Sequence, residues 1–454
     1  MRKQRIIFNL SLTILGLLQL AFFDAQDPVF LKYEVLVIDV YVILVGYCYI
    51  RNIMHPYMML CFMINLFLCS RIWLDAFFDG IPYYYTTFFS SYPFIDDVQK
   101  KICLMLILTF LGLNLSLVFL KEKNGDLNIN KIVELKENRR AIFYSKIIMY
   151  ICIIPVIYMT YETYQYVRAY GYTALYIASQ TGGDTDNGIL KHFAVLFQIS
   201  FFCFLASKPN RSEFIKFSAL FMIVNILSLF TGGRGGFATL MGTYLTYVSI
   251  YRWRIPLKII IILMLISIFL FQFASLYRDT SGRDTNIDAS SDIVQPFFAS
   301  QGVSITVLGY ATQIESNGFL DIAYPIVAYF DEKTNDEYSK DKTEYNYPYR
   351  LSYSINRDMY LHGMGTGSSF IAESYSAGGL LFVFVVAVCL GYFIIESIRL
   401  FGNNFLGVIG LLIFWQSLYF MPRGSLIGWM IPATKWIMMI YVIRYCDFKI
   451  KGSK

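Results

Sequence analysis

Apolar segments of roughly 14 to 21 residues recur along the whole chain, and they restrict its fold more than any other feature. A helix needs about 20 such residues to cross the hydrocarbon core of a bilayer. Lipid offers backbone groups no hydrogen-bond partner, so segments of this kind must be helical. The composition agrees, because 56% of the 454 residues are hydrophobic and 15% are charged. The sequence therefore predicts an all-α integral membrane protein.

The apolar segments predict twelve transmembrane helices with both termini in the cytoplasm. This orientation places the loops that are densest in Lys and Arg inside, as the positive-inside rule requires. The net charge of +6 is then explained by basic cytoplasmic loops that face anionic lipid headgroups. No nucleic-acid partner is expected. No cleavage site follows the first segment, so it is expected to be retained. The spans are Ile6–Phe23, Val35–Ile50, Ile53–Cys69, Ile102–Leu120, Ile142–Tyr161, His192–Ala206, Phe217–Phe230, Phe237–Ile250, Ile255–Ser275, Gly378–Ile398, Phe405–Phe420 and Leu426–Ile443.

Three regions follow from this pattern: helices 1–9 in residues 1–275, a large external loop in 276–377, and helices 10–12 with a cytoplasmic tail in 378–454. A loop of that length is expected to carry short helices of its own. Its segment 318–330 is apolar but contains Asp321 and is too short to span, so it is expected to be interfacial or re-entrant. No internal repeat suggests the paired halves of a transporter.

The sequence predicts neither a metal site nor a cofactor. It has no CxxC or HExxH pattern and only three histidines. No GxxxxGK[ST] motif for a nucleotide occurs. The eight cysteines lie in predicted spans or on the cytoplasmic side, so no disulfide framework is implied. The external segments are instead rich in tyrosine, as in 345–353, which is typical of an aromatic belt and also of a sugar-stacking surface.

The stretch FTGGRGGFAT (230–239) places Arg234 between glycines at the external start of the eighth span. A helix N-terminus has free N–H groups and a positive dipole end, and glycines such as Gly233 and Gly235 let a ligand approach the backbone closely. An additional cation there is unfavourable without an anion. The pattern predicts a phosphate site, although an arginine that only reaches headgroup phosphates is the alternative.

Three more arginines lie at a comparable depth in the predicted topology. Arg423 precedes the twelfth span in MPRGS, and Arg278 and Arg283 follow the ninth span. The segment GMGTGSS (363–369) repeats the glycine-rich geometry before the tenth span. Arginine binds phosphate bidentately, so these groups together predict capture of a pyrophosphate presented at the outer leaflet.

These motifs resemble those of the Wzy-type O-antigen polymerases, also called oligosaccharide repeat unit polymerases. The resemblance rests on TGGRGGF (231–237), GMGTGSSFIAESYSAGG (363–379), MPRGS (421–425) and the late external loop. It implies a GT-C-like fold in the bacterial inner membrane, with a periplasmic active site and no metal or nucleotide. The implied substrates are undecaprenyl-pyrophosphate-linked oligosaccharides as donor and acceptor, and the implied partner is a chain-length regulator. Arg234, Arg278 and Arg423 match the family arginines near the pyrophosphate, and Arg283 competes with Arg278.

Glycosyl transfer also needs a base for the acceptor hydroxyl. Glu373, beside the glycine-rich segment, is the first candidate and His362 is the second. Each residue also has a non-catalytic alternative. Glu373 would then face solvent or cap a helix, and His362 would be an exposed loop residue. Two other functions stay open, namely a ligase that moves finished glycan to a lipid core and a flippase for the lipid-linked repeat.

Overall fold

A computed structural model of the chain is helical, with no strand in the residues that it describes, which are 2–19, 22, 26–78, 82–85, 93–118, 135–171, 174, 188–231, 235–275, 294–330, 345–362 and 364–452. Its helices are α1 (Arg2–Leu18), α2 (Pro28–Ile50), α3 (Pro56–Phe77), α4 (Asp96–Val118), α5 (Arg139–Tyr170), α6 (Gly188–Ala206), α7 (Arg211–Leu227), α8 (Gly235–Tyr251), α9 (Leu257–Ser275), α10 (Val294–Gln301), α11 (Ile305–Ala311), α12 (Leu320–Phe330), α13 (Tyr347–Ile355), α14 (Arg357–Leu361), α15 (Phe370–Phe401), α16 (Phe405–Leu418) and α17 (Met430–Gly452).

Every predicted span overlaps one of these helices. By length and composition, six helices of the described chain can cross a membrane: α3, α4, α5, α6, α15, and α7 with its following turn. Shorter apolar stretches lie in α1, α9, α12 and α16. The chain is therefore a multi-pass helical membrane protein. Twelve spans and a GT-C-like arrangement remain predictions.

The chain forms two compact units. Unit 1 contains Met1–Asn128, Thr280–Glu396 and Leu418–Ile427, and unit 2 contains Ile129–Asp279, Ser397–Ser417 and Gly428–Lys454. Nearly all of the predicted loop thus belongs to the same unit as the first four helices. The predicted division into three regions is based on which side of the membrane each segment occupies. Contacts between residues do not define that side, so the division stays a prediction.

Helix α4 forms the centre of unit 1. From Ile102 to Leu117 nearly every residue is buried, as expected for a helix that is apolar on all faces. Gly112 lets α15 approach closely: a Cβ at this position would lie 2.7 Å from Ala387 Cβ and 2.8 Å from the Phe384 carbonyl oxygen. Small residues at such a contact allow helix backbones to meet in a membrane. This packing anchors the helix that carries Glu373.

The predicted short helices of the loop are present as α10 to α14. Asn346 caps α13 and Asn356 caps α14, each accepting a hydrogen bond from a backbone N–H in the first turn. The buried Arg71 of α3 holds the end of α10, because its Nε donates to the Ala299 carbonyl at 3.0 Å. The apolar segment around Asp321 forms helix α12, which is 11 residues long.

Helix α15 is interrupted at the predicted start of the tenth span. Gly378 and Gly379 have non-helical backbone angles, and Gly379 has φ +71° and ψ −166°. That conformation is essentially restricted to glycine. The break separates a short helical segment, 370–377, from the long apolar remainder of α15. Glu373 lies on the short segment.

Unit 2 is held by aromatic packing. The rings of Phe201 and Phe221 stack with centroids 3.8 Å apart, and the Tyr247 hydroxyl donates to the Leu205 carbonyl at 2.6 Å. Helix α8 begins at Gly235, close to the predicted start of the eighth span. Phe237 in its first turn packs against Leu229, so the two sides of the glycine-rich stretch share one apolar cluster.

Candidate active site

The Glu373 carboxylate is completely buried in unit 1. Its Oε1 accepts a hydrogen bond from Ser368 Oγ at 2.6 Å. Its Oε2 accepts one from the Leu426 backbone N–H at 3.0 Å and a longer one from Ser425 Oγ at 3.4 Å. A buried carboxylate is tolerated only when such donors replace water. Glu373 is therefore not solvent-facing, and the alternative of a solvent-facing carboxylate is wrong.

Tyr324 on α12 adds a further hydrogen-bond contact to Glu373. Burial is the main reason why the pKa of the Tyr324 hydroxyl lies well above its usual range, and the nearby Glu373 carboxylate raises this pKa further. The hydroxyl therefore keeps its proton and can act as a donor. Three separate parts of the chain, α12, the segment 368–373 and the segment 425–426, converge on one carboxylate.

Two of the sequence motifs thus come together. The segment 363–379 supplies Ser368 and Glu373, and Ser425 of MPRGS bonds to the same carboxylate, as does the following residue, Leu426. Arg423 lies two residues before Ser425, in a short 3₁₀ turn (Met421–Arg423), and is half-buried. Its backbone N–H donates to the Phe420 carbonyl at 2.8 Å. The backbone of Arg423 is therefore held next to the Glu373 cluster.

A second polar network lies beside the first. Asp321 of α12 is 2% exposed, and its Oδ1 accepts from Arg350 Nη2 of α13 at 2.7 Å. Its Oδ2 accepts from Ser376 Oγ at 2.5 Å and from the Asn317 backbone N–H at 3.1 Å. Ser376 lies three residues beyond Glu373, so the helical segment 370–377 connects the two carboxylates.

The glycine-rich segment before α15 is tied to α13. The Thr366 backbone N–H donates to Ser352 Oγ at 3.0 Å, and the hydroxyls of the two residues are 3.1 Å apart. Gly367 has φ +76°, in the left-handed region that glycine adopts without strain. The tight turn leads directly to Ser368 and so delivers this donor to Glu373.

His362 lies at the C-terminal end of α14 and is exposed. Its Nδ1 donates to the Asp358 carbonyl at 2.7 Å, which leaves Nε2 as the nitrogen that can accept a proton. This exposed position is the one named above as the alternative for His362, and its role as a base stays a prediction. The hydrogen bonds that surround Glu373 do not include His362.

Four predicted phosphate-binding residues lie outside the described residues: Gly233, Arg234, Arg278 and Arg283. Gly235 is described and is the first residue of α8, where Thr239 Oγ1 donates back to its carbonyl at 3.2 Å. The roles of these five residues remain predictions.

Local sequence patterns assign no role to Arg350, Tyr324 or Asp321, although these residues lie in the segments 318–330 and 345–353 described above. The signal was present, because Asp321 is a carboxylate inside an apolar segment and Arg350 is a cation inside the tyrosine-rich stretch 345–353. Their pairing joins residues 29 apart in sequence. Such a contact follows from the packing of α12 against α13, which local patterns do not specify.

Comparison with known proteins gives one clear relationship. The family model for O-antigen polysaccharide polymerase Wzy matches residues 5–451, nearly the whole chain. No curated protein and no solved structure matches the chain. Among the described residues no group of three or more His, Cys, Asp or Glu side chains is placed to hold a metal ion. The chain belongs to the Wzy family of O-antigen polysaccharide polymerases, multi-pass membrane glycosyltransferases that join oligosaccharide repeat units.

Proposed function

We propose that this chain polymerises undecaprenyl-pyrophosphate-linked repeats on the periplasmic side of the bacterial inner membrane. The growing glycan is transferred from its carrier to the non-reducing-end sugar of a new lipid-linked repeat. The observation that carries the proposal is the convergence of the 363–379 and MPRGS motifs on the buried Glu373. Membrane lipid surrounds the enzyme, and a chain-length regulator is its proposed partner.

The transfer breaks one bond and forms one. The C1–O bond between the donor glycan and its pyrophosphate breaks, and the electron pair leaves with the pyrophosphate. The acceptor hydroxyl oxygen bonds to C1 and gives its proton to Glu373. The products are the glycan, longer by one repeat, on the acceptor carrier, and free undecaprenyl pyrophosphate. Of the two Glu373 oxygens, Oε2 is proposed to take the proton, because its 3.4 Å contact with Ser425 is its longest and most easily exchanged.

Arginines are proposed to stabilise the leaving group. Negative charge develops on the pyrophosphate as the bond breaks, and preorganised donors facing that charge lower the barrier. The residues proposed to bind pyrophosphate are Arg423, Arg234, Arg278 or Arg283, and the backbone at Gly233 and Gly235. No metal ion and no nucleotide is required in this scheme.

The test is polymerisation by the purified protein with a lipid-linked repeat, in the presence of EDTA and without nucleotide. We expect long glycan on the carrier lipid from the wild type. Glu373→Gln should retain donor binding but form no polymer, because an amide oxygen cannot take the proton. Glu315→Gln, at an exposed carboxylate of the same loop, is the matched control and should be fully active.

Other outcomes would reject parts of the scheme. Full activity of Glu373→Gln, together with inactivity of His362→Ala, would move the base to His362. Transfer of glycan only to a lipid core would identify a ligase. Movement of the lipid-linked repeat across vesicles without elongation would identify a flippase.

A further inference from the structure

Three buried donors beside the Asp321 carboxylate have no hydrogen-bond partner. They are Nε and Nη1 of Arg350 and the hydroxyl of Tyr347, all on the first turn of α13. Tyr347 is 1% exposed, and the Arg350 side chain is 14% exposed. The guanidinium lies over the Tyr347 ring at 5.7 Å. Leaving donors unpaired inside a protein is unfavourable, so a cluster of them requires an explanation.

Neutralising Asp321 does not explain these donors. The ion pair uses one guanidinium nitrogen, Nη2, at 2.7 Å from Asp321 Oδ1. A lysine would supply the same single charge and would leave fewer N–H donors without an acceptor. The two remaining nitrogens and the Tyr347 hydroxyl therefore point to a ligand that contributes acceptor oxygens.

The surrounding charges favour a neutral ligand. Burial is the main reason why the pKa of Tyr347 lies well above its usual range, and the nearby carboxylates of Glu373 and Asp321 raise this pKa further. The charge of the guanidinium is already balanced by its ion pair with Asp321, so the cluster offers no net positive charge to a further anion. Sugar hydroxyl and acetamido oxygens accept hydrogen bonds without adding charge.

Resting on the proposed polymerase function, we propose that Arg350 and Tyr347 bind the non-reducing-end sugar of the acceptor repeat through its neutral oxygens. The partly exposed ring of Tyr324, whose centroid lies 6.5 Å from that of Tyr347, supplies an apolar face for the sugar ring. Donors that hold the other oxygens of the sugar leave its attacking hydroxyl to face Glu373. Arg350 and Tyr347 thereby select and orient the acceptor.

The test measures equilibrium binding to the full-length protein. One probe is the repeat oligosaccharide released from the carrier lipid of the producing cells, free of phosphate, and the other is inorganic pyrophosphate. We expect Tyr347→Phe to weaken oligosaccharide binding about three- to tenfold and Arg350→Lys to weaken it about tenfold or more. Pyrophosphate binding should not change. Tyr353→Phe, a 37% exposed tyrosine on the same helix, is the matched control.

The variants preserve the fold by design. Tyr347→Phe removes a hydroxyl that bonds to nothing in the chain, and Arg350→Lys keeps a cation for Asp321. Unchanged oligosaccharide affinity in both variants would overturn the inference, as would the absence of oligosaccharide binding to the wild type. A loss of pyrophosphate binding in these variants would also overturn it, because the site would then be anionic.

Polymerisation by the same wild-type preparation separates this inference from the proposed function. A wild type that polymerises while its variants bind the oligosaccharide normally would reject the sugar site alone. A wild type that does not polymerise, but whose oligosaccharide binding depends on Tyr347 and Arg350, would reject the polymerase proposal and keep the sugar site.

Discussion

Glu373 illustrates how a single side chain can connect distant parts of a membrane protein. Its donors come from α12, from the turn that precedes α15, and from the segment after the Met421–Arg423 turn. A carboxylate with this many donors is held in one orientation, which suits a group that must receive a proton at a defined position. The same hydrogen bonds hold Arg423 nearby through Ser425.

The pyrophosphate role proposed for Arg423 and Arg234 predicts a specific loss of product length. Arg423→Ala and Arg234→Ala should each leave inserted protein that makes only single-repeat glycan, because the leaving pyrophosphate loses its charge-assisted hydrogen bonds. The glycan ladder on the carrier lipid measures this effect. Arg211→Ala, at an exposed cytoplasmic arginine in the predicted topology, is the control. Normal ladders from both Arg423→Ala and Arg234→Ala would contradict the proposed pyrophosphate role.

The ion pair of Asp321 with Arg350 should contribute to stability as a coupled unit. Arg350→Ala leaves a carboxylate that is 2% exposed without its cation, and we expect the free energy of unfolding to fall by about 3 kcal/mol. The double variant Asp321→Asn with Arg350→Ala should recover most of this loss. Thermal unfolding of the purified protein in detergent measures both. Additive effects of the two single changes would show that the residues are not coupled.

At the scale of elements, the break in α15 matters more than its length. A continuous helix would keep the 370–377 segment in line with the span. The break at Gly378 and Gly379 lets this segment take its own direction, towards the loop helices. Ser376 and Glu373 can then bond to α12 and to the segment after Met421–Arg423 while the rest of α15 packs on α4.

Restricting the Gly379 backbone should therefore disturb the site. At φ +71° and ψ −166°, Gly379→Ala should lower the unfolding free energy by about 2 kcal/mol and reduce polymerisation. For the unfolding measurement alone, Gly236→Ala is the matched control, because a Cβ there meets nothing within 4 Å and alanine favours the first turn of α8. Unfolding curves and polymer yield are the measurements. An equally active and stable Gly379→Ala protein would show that the break is not required.

At the scale of the whole molecule, the proposed chemistry depends on which side of the membrane the loop occupies. Glu315→Cys in the loop should react with a membrane-impermeant thiol reagent in intact spheroplasts. Arg211→Cys, at the start of α7, should react only after the membrane is opened. Both positions are exposed, so the reagent reports sidedness. The opposite labelling pattern would place the proposed active site in the cytoplasm.

Much of the helical architecture was predictable from local patterns. The eighth span was expected to begin at Phe237 and α8 begins at Gly235; the tenth was expected at Gly378, where the break lies. The positions of apolar segments and glycines indicate these helix starts and this break. They do so locally, because in lipid the backbone must form its hydrogen bonds within each segment. The burial of Glu373 and its bond to Leu426, 53 residues away, could not be read in this manner.

The sequence alone determined that the chain is helical, that it enters the membrane repeatedly, and that glycines and arginines gather in a few short segments. These properties depend on composition and on contacts within one helix. Only the tertiary structure decided that Glu373 is buried, that two of the motif segments meet at it, and that Arg350 pairs with Asp321 beside an unpartnered Tyr347 hydroxyl. Those properties arise when distant segments exclude water together, and no local pattern specifies which donors will then replace it.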